Sequence, residues 1–105
     1  MLRVINVKFL LWLSSECKSV EEIAKALKSE GHEISLLLVQ DGVFLADRGC
    51  EHSSKVVDLD VPMFVSQHHV EERGIKSRLV GDVSLVGYDE IVDLIMEKFD
   101  RVVSI

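Results

Sequence analysis

Cysteine is scarce: Cys17 and Cys50 are the only two in 105 residues. Two cysteines are too few for a disulfide framework, so a reducing, cytoplasmic compartment is the expected location. Long hydrophobic runs are also missing. The longest, Phe9 to Leu13, is far shorter than the roughly 20 residues that a membrane span needs. The amino-terminal segment has no small-residue cleavage site after its apolar part, so we expect neither a membrane span nor a signal peptide.

Positive charge is in deficit. The chain has 12 basic and 18 acidic residues, for a formal net charge of −6. Proteins that bind along a nucleic-acid backbone need a basic footprint, so this balance argues against direct nucleic-acid binding. The sequence also lacks repeats, low-complexity segments and linkers rich in proline, glycine or serine. Its length and its 48% hydrophobic content therefore predict a single globular domain over residues 1–105, with one packed core.

Strand and helix signals alternate along the chain. Strands are predicted over residues 2–10, 34–40, 61–65 and 82–87, and a short edge strand over 101–105. The run "ISLLLVQ" (34–40) is mostly apolar, without regular alternation of polar and apolar residues, which is typical of a strand covered on both faces. Alternation of this kind predicts an α/β fold, in which a parallel sheet has helices on both faces.

The helices are predicted from their end signals. Ser19 and Glu22 have the spacing of a capping box at the start of the first helix, and Gly31 stands where that helix should end. A short helix follows the turn at Asp41-Gly42, where the aspartate is interpreted as a helix-start cap. Another covers "SQHHVEERG" (66–74), and a last one covers "YDEIVDLIMEKF" (88–99).

Four polar stretches follow predicted strands. In open parallel sheets, ligands and reactive groups collect beyond the carboxyl ends of the strands. The stretches at that edge are Ser14 to Lys18, Gln40 to Gly42, Ser66 to His69, and Gly87 to Asp89. They are therefore the first places to look for chemistry.

Three segments together resemble a known family. They are "LLLVQDGVFLA" (36–46), "VPMFVSQHHVEERGI" (61–75) and "VSLVGYDEIVDLI" (83–95). Their order and spacing are similar to those of the sulfur-relay superfamily of DsrE, DsrF and DsrH and their TusD, TusC and TusB counterparts, and are closest to the DsrH/TusB type. The resemblance implies a small, DsrE-like, three-layer α/β/α domain with a mostly parallel sheet of four or five strands.

The resemblance also implies a function and partners. It places the chain in persulfide sulfur transfer, either for tRNA 2-thiouridine synthesis or in dissimilatory sulfur metabolism. The implied partners are DsrE/TusD-like and DsrF/TusC-like subunits, or further copies of the chain in a homo-oligomer, with a sulfur-carrier protein as another candidate. No cofactor is implied.

Ser66 occupies the position that carries sulfur in the superfamily. In the sulfur-carrying subunits a cysteine closes the third strand, just before the helix that ends in arginine-glycine. Counting back from Gly74, that position is Ser66. A serine hydroxyl cannot carry sulfane sulfur, so the resemblance implies an accessory, non-catalytic subunit of a sulfurtransferase complex rather than an enzyme. The residues themselves predict that Ser66 is a helix N-cap.

His68 and His69 invite other interpretations. Adjacent residues on a helix face about 100° apart, so the pair is poorly placed to bind one metal ion, and no metal site is expected. We interpret them, with Asp41 and Tyr88 at the same edge, as candidate partner contacts. The His69 side chain could reach the Ser66 oxygen, but the stretch has no oxyanion hole or nucleophile elbow, which argues against a serine hydrolase.

The two cysteines differ in position. Cys17 precedes the first helix at the carboxyl edge of the sheet, where a thiolate is favoured, so it is the candidate sulfur acceptor. A thiol without a role is the competing interpretation. Cys50 is expected near the opposite edge. Trp12, within "FLLWL", either packs in the core or belongs to a docking patch.

Two other functional classes were weighed. A self-associating α/β binding module outside any sulfur relay, with a small ligand at the same edge, is the main alternative. A phosphorylated receiver domain is disfavoured, because the paired acidic residues expected after the first strand are missing.

Overall fold

The computed structural model describes residues 7–16 and 19–105. The described residues contain five strands, namely β1 Lys8–Leu13, β2 Glu33–Leu38, β3 Met63–Ser66, β4 Val83–Val86 and β5 Arg101–Ser104. They form one sheet in the order β4-β3-β2-β1-β5. Every pair of neighbouring strands is parallel. The prediction of a small α/β domain with a mostly parallel sheet of four or five strands is confirmed, and the last strand lies at an edge as expected.

Helical segments connect the strands. In chain order they are α1 Glu21–Ser29, a 3₁₀ helix Gln40–Ala46, α2 Ser53–Asp58, α3 Gln67–Arg73, a short 3₁₀ helix Lys76–Arg78, and α4 Tyr88–Asp93 with its π-helical continuation Leu94–Lys98. Among these residues, no helix is long and apolar enough to cross a membrane. The strands end at one edge of the sheet, and most helical segments begin there, so that edge collects the turns that could build a site.

The two faces of the sheet bury separate clusters, because successive side chains of a strand point to opposite faces. On one face, Leu11, Leu36 and Val65 pack with residues of α1, α2, α3 and the first 3₁₀ helix. On the other face, Leu10 and Leu37 are fully buried beneath α4 and its continuation. The result is three layers, as the sequence predicted.

The two outer layers are unequal. Within the described residues, the second face is covered by α4 and its continuation alone. One helix is about 10–12 Å across with its side chains, whereas five strands spaced about 4.8 Å apart make a much wider surface. Apolar side chains are exposed on both elements: on α4 and its continuation Tyr88 is 82% exposed, Met96 74% and Val92 44%, and on β5 Val102 is 38% exposed.

The first strand lies later in the chain than predicted. The prediction put it at 2–10 with a loop from Leu11, whereas β1 runs from Lys8 to Leu13; residues 2–6 of the predicted strand lie outside the described residues. The segment 2–10 mixes apolar and polar residues, a pattern that suits a strand with one solvated face. Because β1 lies between β2 and β5 and is covered on both faces, its signal is the continuous apolar run "FLLWL" instead.

The start of α1 also differs from the prediction. Its N-cap is Val20, without a side-chain hydrogen bond, so Ser19 and Glu22 do not form a capping box. Val20 is buried in the core, and this packing positions the first turn in place of a cap. The predicted stop is confirmed. Gly31 has φ 87°, and its N–H donates to the carbonyl of Lys28 in a Schellman ending.

Helix α2 was not predicted from the sequence. This helix covers six residues, Ser53–Asp58, and its buried side chains are only Ser53 and Val56. So short a segment has no apolar periodicity to read.

Candidate functional site

A cavity of about 450 Å³ lies at the carboxyl edge of the sheet. It is lined by Trp12, Val39, Gln40, Ser66, His68, His69, Tyr88 and Ile91. Three of the stretches singled out in the sequence therefore meet in one place. Another cavity, of about 480 Å³, lies at the opposite edge between Lys8, Glu33 and Pro62. We favour the carboxyl edge as the candidate site, because parallel sheets gather their functional loops there.

Ser66 closes β3 and caps α3. Its side chain is buried, and its Oγ accepts a hydrogen bond from the backbone N–H of His69 at 3.4 Å. The N-cap prediction is confirmed. At the other end of α3, Gly74 has φ 64° and ends the helix where the sequence predicted. The serine oxygen is thus hydrogen-bonded to the backbone of α3.

The His69 ring turns away from Ser66. Its Nδ1 accepts a hydrogen bond from the backbone N–H of Gln40 at 2.9 Å, so the Ser-His contact allowed by the sequence is not formed. Burial lowers the pKa of His69 below its ordinary value, and the Arg73 guanidinium acts in the same direction. The ring is therefore neutral at neutral pH. Among residues 7–16 and 19–105, no histidine side chain is hydrogen-bonded to the Ser66 hydroxyl.

His68 has different surroundings. Its side chain is 76% exposed, and its Nε2 lies 3.5 Å from a carboxylate oxygen of Glu72, one turn along α3. The rings of His68 and His69 are 5.6 Å apart and inclined by 56°. Within residues 7–16 and 19–105, no three side chains of histidine, cysteine, aspartate or glutamate are grouped so that they could hold a metal ion.

The "QDG" segment after β2 has three structural tasks. Gln40 donates to His69, as described above. The Asp41 carboxylate accepts from Nε and Nη2 of Arg73, each at 3.0 Å. A Cβ on Gly42 would lie 2.1 Å from the carbonyl oxygen of Leu13, so only glycine fits against β1 there.

Asp41 and Arg73 were not paired by the sequence analysis. The prediction that Asp41 caps the helix is wrong: the N-cap is Val39, with no side-chain hydrogen bond. The ion pair ties the first 3₁₀ helix to α3 across 32 residues of sequence. The motifs containing Asp41 and Arg73 were both visible, but no local pattern indicated that they touch.

Tyr88 begins α4 and is exposed at the rim of the cavity. The turn before it is fixed by the N–H of Gly87, which donates to the Glu90 carboxylate at 3.1 Å. Trp12 lies half-buried in the cavity wall, while its neighbours Leu11 and Leu13 belong to the core. The "FLLWL" run therefore contributes both to the core and to the candidate site.

Cys50 does not line this cavity. Cys17 lies outside the described residues. Cys50 is buried, is not a free thiol, and borders a cavity with Glu16 and Arg78. Because Glu16 follows the end of β1, this cavity is on the carboxyl side of the sheet, and the predicted placement of Cys50 near the opposite edge is wrong. The short α2 after it, which the sequence did not reveal, accounts for the error.

A comparison with models of protein families identifies the family of this chain. A family model described as DsrH-like protein matches residues 14–101. The chain belongs to the DsrH family. Its resemblance to the DsrH/TusB type of the sulfur-relay superfamily is thereby confirmed.

Several relatives carry the name TusB. Protein TusB of Pectobacterium carotovorum subsp. carotovorum is 33% identical over 63 residues, which are 60% of this chain and 66% of the relative. Protein TusB of Pectobacterium atrosepticum gives the same figures. Protein TusB of Serratia proteamaculans is 29% identical over 59 residues, 56% of this chain and 62% of the relative. The chain thus matches slightly less than two thirds of the length of these relatives.

Two solved structures share the fold of this DsrH-family chain. A protein of unknown function from Methanobacterium thermoautotrophicum superposes with a TM-score of 0.75 and 17% identity, over 95% of this chain and all of the other. The YchN protein of E. coli gives a TM-score of 0.70 and 16% identity, over 96% of this chain and all of the other. At these identities the likeness shows the fold alone.

Proposed function

We propose that this chain is an accessory subunit of a sulfur relay, one that supports persulfide transfer without itself holding sulfur at the position used by sulfur-carrying subunits. The observation that carries the proposal is the DsrH family match over residues 14–101. Ser66, which occupies that position, closes β3 and caps α3. This placement at the junction of β3 and α3 supports the proposal that an oxygen stands here in place of the sulfur.

The chemistry of the cavity supports an accessory role. Its serine oxygen is engaged by the backbone of α3. Its His69 ring is neutral and bonded to Gln40, and the nearby Arg73 is paired with Asp41. A nucleophilic serine needs a base oriented on it, and none of these groups is placed to act as one.

The proposed pathway is tRNA 2-thiouridine synthesis. The TusB relatives favour it over dissimilatory sulfur metabolism. The proposed partners are subunits of the DsrE/TusD and DsrF/TusC kinds, with a sulfur-carrier protein as a further partner. We place this assembly in the cytoplasm, where its tRNA product is used.

Partner contacts are assigned to the rim of the cavity. His68 and Tyr88 are exposed there, and the Asp41 side chain is 55% exposed beside Arg73. A partner covering this edge would meet these three side chains first. Cys17, which the sequence places near the same edge, remains the proposed sulfur acceptor if the subunit takes part in transfer at all.

The test is the modification state of tRNA in the source cell. Deleting the gene should lower 2-thiouridine, measured by mass spectrometry of digested tRNA, and the wild-type gene should restore it. Complementation with Ser66→Ala should also restore it, because this serine carries no sulfur. Complementation with Cys17→Ser separates a sulfur-accepting role from a purely structural one. Unchanged 2-thiouridine after deletion would refute the proposed pathway.

A self-associating binding module is the second candidate. The exposed apolar side chains of α4 favour it, because Tyr88, Val92 and Met96 would be buried by a second copy. It predicts a stable homo-oligomer with no relay subunits attached and no effect on tRNA thiolation.

A further inference from the structure

The turn after β2 has an uncommon backbone conformation. Gln40 has φ 51°, in the left-handed region that few residues other than glycine adopt. Its N–H is held by Nδ1 of His69 at 2.9 Å. Both residues line the carboxyl-edge cavity, so this one hydrogen bond fixes part of the cavity wall.

We propose that His69 is a pH-sensitive latch: its neutral imidazole holds the Gln40 turn, and its imidazolium releases it. Nδ1 accepts a hydrogen bond only while it carries no proton, because both ring nitrogens of an imidazolium are donors. Protonation would set an N–H of the ring against the N–H of Gln40. The latch follows from this contact and does not depend on the proposed function.

The charges on α3 favour the closed latch at neutral pH. Burial is the main cause of the lowered pKa of His69, and electrostatic interactions with Arg73 and His68 act in the same direction. Glu72 opposes them. The closed form therefore persists at neutral pH, and opening requires acidification below the ordinary histidine value of 6.5.

Two titratable groups approach from neighbouring elements. Asp41, on the first 3₁₀ helix, is held by the Arg73 guanidinium. Tyr88, on α4, lines the same cavity as His69. Among the described residues, the group that hydrogen-bonds to the His69 ring is the Gln40 N–H.

Release should be confined to Gln40. On one side of it, the Asp41 carboxylate stays bonded to Arg73 through two nitrogens. Across the turn, the N–H of Gly42 donates to the carbonyl of Val39 at 2.8 Å. Neither interaction uses the imidazole. Opening the latch therefore changes one wall of the cavity while the remaining hydrogen bonds of the turn stay in place.

Nuclear magnetic resonance of the ¹⁵N-labelled full chain tests the latch. As the pH falls below 6.5, the Gln40 amide resonance should shift with the same midpoint as the His69 ring. The Gln40 amide should lose its protection from hydrogen exchange over the same range. At neutral pH, ring ¹⁵N shifts should show His69 with its proton on Nε2.

Two variants complete the experiment. His69→Asn places an acceptor oxygen at the atom equivalent to Nδ1 but cannot titrate, so the Gln40 amide should stay protected and become insensitive to pH. His68→Asn is the matched control, because that ring lies beside Glu72 instead. The Gln40 amide should still titrate with the His69 ring in this variant, with the shared midpoint moved upward because the pKa-lowering effect of His68 is lost.

Two results would contradict the proposal. A Gln40 amide that ignores the His69 titration, or one that still titrates in His69→Asn, would overturn the latch. If His69→Asn does not fold, the wild-type ring decides alone: a proton on Nδ1 at neutral pH is incompatible with the proposal.

Discussion

Ser66 is the residue that we propose stands where the sulfur-carrying subunits of the superfamily hold a thiol. The Ser66 oxygen is buried and accepts from the N–H of His69. Removing this oxygen leaves the His69 N–H without its cap, and replacing it with sulfur introduces the thiol that the proposal expects at this position in sulfur-carrying subunits. The two changes separate the structural role of the residue from its chemical one.

The first prediction compares Ser66→Ala with Ser66→Cys. Alanine should lower the free energy of unfolding by about 1 kcal/mol, the usual cost of a lost N-cap, as measured by urea denaturation. Cysteine should accept sulfane sulfur from a persulfide donor, and peptide mass spectrometry should locate that sulfur at residue 66. The alanine variant, treated with the same donor, is the control. A cysteine that stays inert would show that the alignment through Gly74 is wrong.

The second prediction concerns the pH dependence of stability. Unfolded His69 titrates near 6.5, whereas its pKa in the folded chain is lower, so the native protein binds fewer protons between the two values. The stabilisation from His69 is therefore complete above pH 6.5 and is lost as the pH falls through the folded-state pKa. Urea denaturation across this range should show the loss in the wild type and in His68→Asn. If the free energy of unfolding of His69→Asn depends on pH as it does in the wild type, another group causes the effect.

At the scale of elements, the 3₁₀ helix after β2 is fastened on two sides. Asp41 ties it to α3 through Arg73, and Gly42 lies against the backbone of β1 at Leu13. The ion pair is partly exposed, so its contribution to stability is small, up to about 1 kcal/mol. The backbone of β1 approaches Gly42 so closely that a Cβ atom does not fit there. A substitution at Gly42 should therefore lower the stability more than loss of the ion pair.

The third prediction therefore compares two glycines. Gly42→Ala should destabilise the fold by about 3 kcal/mol or more, because its Cβ would meet the Leu13 carbonyl oxygen, which cannot move without disturbing β1. Gly49→Ala is the control, since a Cβ there would meet only the Asp47 side chain at ordinary distances of 3.6–3.8 Å. Similar thermal unfolding of the two variants would contradict the close approach.

The elements that the sequence predicted well are those specified by neighbouring residues. The cap and the glycine stop of α3 are both local signals, and both are correct. The position of β1 was missed because it depends on burial between two strands that pair with it from distant parts of the chain. The bond between His69 and Gln40 could not be predicted either, since it joins residues 29 positions apart. The location of the site at the carboxyl edge of the sheet could be predicted from the sequence, but its hydrogen bonds could not.

At the scale of the whole molecule, the main feature is the second face of the sheet, where α4 and its continuation carry exposed apolar side chains. The exposed side chains of Tyr88, Val92 and Met96 are spaced four residues apart, so they lie along one side of the last helical segment. Exposed apolar surface of this kind commonly marks an interface. We expect α4 to be covered in the functional assembly.

The fourth prediction tests this expectation. Met96→Asp should shift the purified protein toward smaller species in sedimentation velocity, because a charge would be buried without a partner in the interface. Val57→Asp is the matched control. Val57 is 40% exposed, comparable to Val92, but it lies on α2, on the other side of the sheet. A wild-type protein that is monomeric at micromolar concentration and co-purifies with no other subunit would contradict an interface on this surface.

The measurement that tests the central claim most directly is native affinity purification of the tagged full chain from its source cell, with mass spectrometry of the proteins that co-elute. A sulfur-relay subunit should bring down subunits of the DsrE/TusD and DsrF/TusC kinds in constant proportion, and Met96→Asp should reduce their recovery while Val57→Asp does not. Recovery of the chain alone, or only with copies of itself, would contradict the sulfur-relay assignment and favour a self-associating module.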